Sequence, residues 1–318
     1  MAYERLKQRL DAGEVVILDG ATGTELQRRG APMDPAAWCG PTTLHNDKLL
    51  TEIHADYIAA GAEVITANTF ASSRLMLSRA GYGDRVAEIN RRAVESALRA
   101  RDRADGDTRV VVAGSLSHMV PVAGGTATVD PDRLPDDAEI AAAFDELARI
   151  LAAAGCELII LEMMYCPRRI RFALDAALAT GLPVWFGASA RRADDGRVVS
   201  FEHAEDLSLD EVTRLIPAKG VDAAGVMHSG AELIADALRS VRRHFDGPLM
   251  AYPDSGYFEM PDWRFVDVIT PERFEAFCRD WIKSGVRIVG GCCGLTEEHV
   301  RAAVRARDQA LSTTAASG

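Results

Sequence analysis

Eight short apolar runs recur along the chain, each separated from the next by a stretch of helical periodicity. They are Val15–Gly20, Glu63–Phe70, Arg109–Ser117, Glu157–Met164, Pro183–Arg191, Val221–Ser229, Pro248–Gly256 and Val286–Gly294. Most are nearly continuous Val, Ile and Leu, the pattern that a parallel strand buried on both faces requires. Between them lie amphipathic segments such as Asn46–Gly61, Arg85–Arg103, Asp136–Gly155, Ile234–His244 and Pro271–Gly285. Gly61, Gly155, Gly181 and Gly285 stand where helices need a C-terminal cap, and Thr270-Pro271 supplies an N-cap followed by proline at the first helical position. Eight strands alternating with eight helices predict an α/β fold, a (β/α)8 TIM barrel in a single domain. A doubly wound open sheet is the alternative, since a strand count alone does not prove closure. The expected barrel spans residues 1–310, because no linker divides the chain and the Gly/Pro/Asp-rich loop Gly124–Asp137 lies within one β/α unit. Residues 311–318 are rich in Ser, Thr and Ala with no apolar period, and read as a frayed, disordered tail.

Charge and cysteine usage narrow the function classes. A net charge of −11 argues against nucleic acid or an anionic membrane as partner, since both attract basic surfaces. No apolar run reaches the length of a membrane span, and Met1–Arg5 leads into a charged amphipathic stretch instead of a signal-peptide core. Six cysteines without framework spacing in a chain of 318 residues suit a reducing cytoplasm. The apolar helix faces are equally compatible with homo-oligomer formation, because faces used between subunits look like core faces.

Within this frame Cys292-Cys293 stands out, set in Gly290-Gly291-Cys292-Cys293-Gly294 directly after Val286–Val289. Glycine gives up side-chain contacts and costs backbone entropy, so its presence on both sides points to a sharp turn or a close approach. Thiolates are soft ligands suited to zinc, while two ordinary buried cysteines and a vicinal disulfide are the alternatives. In a barrel the chemistry lies at the C-terminal ends of the strands. Those ends read Asp19-Gly20-Ala21-Thr22, Thr66-Ala67-Asn68-Thr69-Phe70, Gly114-Ser115-Leu116-Ser117-His118, Glu162 with Tyr165 close behind, Ser189-Ala190-Arg191, Met227-His228-Ser229, Tyr252-Pro253-Asp254 and Cys292-Cys293. Polar and soft ligands gather where the fold would focus them.

These residues resemble the homocysteine S-methyltransferase family, zinc-dependent barrels that move a methyl group onto a thiol. The matching pieces are Asp19–Thr24, Ala60–Glu63 with Thr66–Phe70, Gly114-Ser115, Glu162, Gly187–Arg191, Tyr252-Pro253 and Gly290–Gly294, covering about Val15 to Val304. The resemblance implies a Zn2+ site with three cysteine ligands, the third in an Asn-Cys step at the end of strand six. Here that step reads Met227-His228. Imidazole is also a good zinc ligand, so the implied set becomes His228, Cys292 and Cys293 with an open fourth position; the alternative is that His228 is only a polar residue in a cavity. The family likeness also implies a substrate-binding set of Asp19, Gly20, Thr22, Asn68, Glu162, Tyr165 and Asp254, in which Glu162 grips a substrate ammonium group and Asp19 lies on the same polar wall. Glu162 could instead pair with Arg191. Trp38, Phe70 and Tyr165 stand where loops could offer aromatic faces to a cationic donor. Cys166 is a weaker ligand candidate, and Cys39, Cys156 and Cys278 read as structural.

The implied activity is transfer of a methyl group from a small sulfonium or quaternary ammonium donor to a thiol such as homocysteine, with only small-molecule partners. Ser117-His118-Met119, Met227-His228 and Asp254 all depart from the family pattern at strand ends, which predicts an altered acceptor or donor. A methyltransferase or demethylase with another substrate pair, and a metal-free small-molecule-binding barrel, are the competing readings.

Overall fold

The computed structural model describes residues 2–104 and 110–316, the side chains of 311–316 excepted. Eight strands follow the expected runs: β1 (Val16–Ile17), β2 (Val64–Ala67), β3 (Val111–Ser117), β4 (Leu158–Met164), β5 (Val184–Ala188), β6 (Ala223–Gly230), β7 (Leu249–Asp254) and β8 (Val286–Val289). Arg109, the first residue of the third apolar run, lies outside the described residues. All pair in parallel in the order β1-β8-β7-β6-β5-β4-β3-β2. Val16 lies opposite Ile288, while at the other edge a parallel bridge joins Leu18 to Val64. The N–H groups of Asp19 and Glu63 donate across that seam to Val64 O at 3.1 Å and Ile17 O at 2.8 Å. The ring is thereby closed, and the open doubly wound sheet is set aside.

Alternate residues of each strand enter different cores, as a period of two demands. Val16, Leu18, Val64, Ile160, Trp185 and Ile288 share one buried cluster, whereas Ile17, Ile65, Ile159, Phe186 and Val289 share another with the surrounding helices. The N-terminal helix Ala2–Asp11 joins the first cluster through Tyr3, Leu6 and Leu10. Trp185 Nε1 donates to the Tyr3 hydroxyl at 3.1 Å, and that hydroxyl donates to Asp222 at 2.7 Å. These partners stand at the starts of β5 and β6, so the helix plugs the N-terminal mouth of the barrel. Truncating Leu6 or Leu10 to alanine there costs about 2–5 kcal/mol, typical of a buried leucine.

The helix signals hold. Gly61 and Gly155 are left-handed C-caps with φ of 108° and 102°. Asp136 and Glu139 form a reciprocal capping box, and Thr270 caps the helix Pro271–Lys283 by accepting from Arg273 N–H. The last helix spans Glu297–Ala316 and so overlaps the segment from 311 read as a tail; 317–318 lie outside the described residues.

Candidate metal centre

The glycine-flanked cysteines leave β8 as an extended loop zipped between its neighbours. Gly290 N–H donates to Ala251 O, Gly291 N–H to Asp19 O, and Cys292 N–H to Pro253 O at 2.7 Å, while Cys293 O accepts from Ser255 N–H at 2.9 Å. Gly294 then turns with φ of +82°, and a side chain on it would run into the Ser255 carbonyl. Only glycine satisfies both demands, which explains its place after the pair.

His228 reaches the same point from β6. The pairing of β6 with β7 shifts register between Met227 and Gly230, and His228 adopts φ of +45°. A shift of this kind re-aims a side chain at a strand end. The bend is held from behind: the hydroxyls of Ser189 and Ser229 both donate to Met227 O, at 2.8 Å and 2.9 Å, and Ser229 Oγ accepts from Ala190 N–H.

His228, Cys292 and Cys293 therefore converge. Their ligand atoms all lie within 4.8 Å of one another, and the residues are 6%, 3% and 4% exposed. Cys292 Sγ stands 3.3 Å from His228 Nδ1 and 3.8 Å from Cys293 Sγ. Two thiolates held at about 2.3 Å from a tetrahedral ion stand about 3.8 Å apart, and a thiolate and an imidazole nitrogen about 3.6 Å apart. The spacing and the donor set fit such an ion. Both thiols are free, so no vicinal disulfide occupies the site, and Cys166 is no part of the cluster.

The electrostatics of the cluster are those of a buried anionic pocket. Burial pushes the His228 imidazole down, but the Cys293 thiol and the Glu162 carboxylate beside it outweigh that and lift it to about 10. The Cys292 thiol is drawn upward, chiefly by burial, and Cys293 downward, chiefly by its hydrogen bond with Cys292.

The other expected site residues divide among three places. Gly20, Thr22, Asn68 and Glu162 line a cavity of about 30 Å³ directly against the ligand set, with Cys39 and Tyr252 completing its walls. Asn68 donates to Cys39 O and Thr43 Oγ1, leaving its own amide oxygen buried and unpartnered. Tyr165 and Asp254 line a separate cavity of about 520 Å³ that also reaches His228 and Cys293. Burial pushes the Asp254 carboxyl up to about 6, although the nearby His228 opposes it. Asp19 lines neither cavity. It is fully buried and committed to Thr66 and Tyr252.

Trp38, Phe70 and Tyr165 all face the large cavity. Trp38 meets Phe70 edge-on at 6.0 Å, and the Phe70 ring lies 5.0 Å from the His228 ring. Arg191 is turned away from Glu162 and donates to Glu202 O and Asp206. Sequence reasoning missed Phe258 and Trp263, which wall the cavity from a hairpin (Tyr257–Glu259 with Asp262–Arg264) beyond β7. It also took Cys39 for a structural residue, though Cys39 borders the small cavity. No motif marks these positions, because each depends on how a loop folds back over the barrel.

Comparison with known proteins agrees with this arrangement. The family model described as homocysteine S-methyltransferase matches residues 16–307. The chain is 26% identical to homocysteine S-methyltransferase 2 of Zea mays, over 95% of this chain and 92% of that protein. It is also 26% identical to a selenocysteine methyltransferase of Astragalus bisulcatus, over 91% of each. The metallated form of the homocysteine methyltransferase MmuM from Escherichia coli shares the fold with a TM-score of 0.72, at 22% identity, over 94% of this chain and 98% of that one.

Proposed function

The chain belongs to the homocysteine S-methyltransferase family, and from that premise we propose a zinc-dependent thiol S-methyltransferase whose ion is held by His228, Cys292 and Cys293. The observation that carries the reading is the ligand spacing, a 3.8 Å sulfur–sulfur and a 3.3 Å sulfur–nitrogen separation in a buried pocket. Zinc in such a site lowers the pKa of a bound thiol well below its free value of about 8.5 and presents it as a thiolate nucleophile.

The chain's own residues supply the rest. The thiol side is walled by Gly20, Thr22, Asn68 and Glu162, with Asp19 bracing that wall from behind through Thr66. The donor side is the large cavity, where Trp38, Phe70 and Tyr165 offer ring faces and Asp254 an acidic group to a sulfonium or quaternary ammonium donor. As the new S–CH3 bond forms, the bond between methyl and donor heteroatom breaks, and its electron pair leaves with the donor as a neutral thioether or amine. Aromatic walls favour the cation over its neutral product, which aids release. With homocysteine as acceptor the product is methionine. Six unpaired cysteines suit a cytoplasmic setting.

A histidine ligand in place of the family's third cysteine favours a second reading, the same transfer chemistry with a different donor or acceptor. Zinc analysis of protein purified without added metal, followed by product analysis with a panel of thiols and onium donors, tests both. Metal-free protein with no methylated product from any pair would leave only a small-molecule-binding barrel.

A further inference from the structure

Glu162 stands near the C-terminal end of β4 and His228 near that of β6, with β5 between them in the sheet. Their side chains nevertheless meet, His228 Nε2 to Glu162 Oε2 at 3.0 Å, with both residues buried. Cys292 Sγ lies beside both ring nitrogens, 3.3 Å from Nδ1 and 3.5 Å from Nε2, but among the described residues only Nε2 has a carboxylate partner. With Nε2 engaged by the carboxylate, Nδ1 is the ring nitrogen left for the thiol side of the pocket. A neutral imidazole carries a single N–H, and the tautomer follows whichever nitrogen has the acceptor. A carboxylate on Nε2 fixes the proton there and leaves the Nδ1 lone pair for a metal. Arg191, the alternative partner for this carboxylate, instead donates to Glu202 O and Asp206.

We propose that Glu162 is a positioning residue for His228: its carboxylate holds the Nε2–H, so that Nδ1 is the atom turned to the metal. This rests on the metal reading given above. Outer partners of this kind orient a ligating histidine and raise its basicity. The device has a purpose only because position 228 is histidine, since a cysteine there has no second nitrogen to hold. The carboxylate oxygen engaged by His228 is then no longer free for a substrate ammonium group.

The test is a double-mutant cycle read in metal affinity. Zinc binding is measured by chelator competition, and the cobalt(II) absorption spectrum recorded, for wild type, Glu162→Gln, His228→Cys and the double variant. Glu162→Gln should weaken zinc by about 10- to 100-fold in the His228 background and alter the ligand-field bands of the cobalt form. In the His228→Cys background the same change should shift affinity less than about threefold, because removing a carboxylate beside a thiolate ligand disturbs no tautomer. Equal losses in both backgrounds, or none in either, would overturn the proposal while leaving the metal site intact. Wild type that takes up no zinc overturns the metal reading itself, which the first measurement of the cycle reveals. Should Glu162→Gln fail to fold, Glu162→Asp, whose shorter side chain draws the carboxylate away from Nε2, answers the same question with the same expected losses.

Discussion

Asp19 clasps Thr66 across the seam where the barrel closes, its carboxylate accepting the Thr66 N–H at 2.6 Å and the Thr66 hydroxyl at 3.1 Å. The Leu18–Val64 bridge, its flanking backbone bonds and a bond from Ile17 N–H to Glu63 Oε2 also join this seam. Hydrogen bonds to a charged group each contribute about 1.5–3 kcal/mol. Asp19→Ala should therefore lower the urea midpoint by a stability loss of about that size or more, while zinc stoichiometry stays at the wild-type level. Metal lost without any loss of stability would show that Asp19 serves the ligand cluster instead.

Restoring a cysteine at 228 should leave the ion in place, because three thiolates with an open position form a competent zinc site. Exchanging neutral imidazole for thiolate makes the site one unit more negative, which raises the pKa of a bound thiol and strengthens the nucleophilicity of its thiolate. Turnover with the native acceptor should fall in His228→Cys, while activity towards homocysteine holds or rises. Parallel kinetics on several thiols, normalised to zinc content, decide this; identical profiles would mean that the two ligands are interchangeable.

The aromatic wall should read as a preference for cations. Phe70→Leu keeps an apolar side chain but removes the ring face, a loss of about 0.5–2 kcal/mol against a cation, or roughly 2- to 30-fold. The KM for an onium donor should rise by that factor, with zinc content unchanged. A similar rise for the thiol acceptor would place Phe70 on the other side of the reaction.

Acid sensitivity should trace to His54. It is fully buried on the helix Thr43–Ala60, neither ring nitrogen has a partner, and burial lowers it from 6.5 to about 3. The unfolded chain thus binds a proton that the folded one refuses between those two values. This contribution is complete above pH 6.5 and is lost progressively as pH falls towards about 3. His54→Leu should flatten the dependence of stability on pH over that window, measured as urea midpoints; an unchanged slope would locate the acid sensitivity elsewhere.

The strands were readable because both of their faces are buried, which leaves continuous apolar runs such as Leu158–Leu161. Their ends were less so: β1 pairs only through Val16 and Ile17, since beyond Leu18 the chain already turns to build the site. The helix Ala2–Asp11 carried no sign that Tyr3 would reach Trp185, because charged neighbours on its outer face look like any surface helix. Cys292, Cys293 and His228 could be nominated from strand-end chemistry and family likeness. The engagement of Glu162 by His228 could not, because it depends on the left-handed turn at His228 that swings the ring across β5. Phe258 and Trp263 were hidden for a similar reason, lying in a hairpin whose return over the barrel has no periodic signal.

The ring's two edge strands come from opposite ends of the chain, Val16 beside Ile288. A chain extended only as far as His228 has yet to gain Cys292 and Cys293, and it also lacks the strand that pins β1. The cluster is therefore incomplete until the chain has passed Cys293. A chain cut short before β8 has neither a closed wall nor the cysteine pair that faces His228.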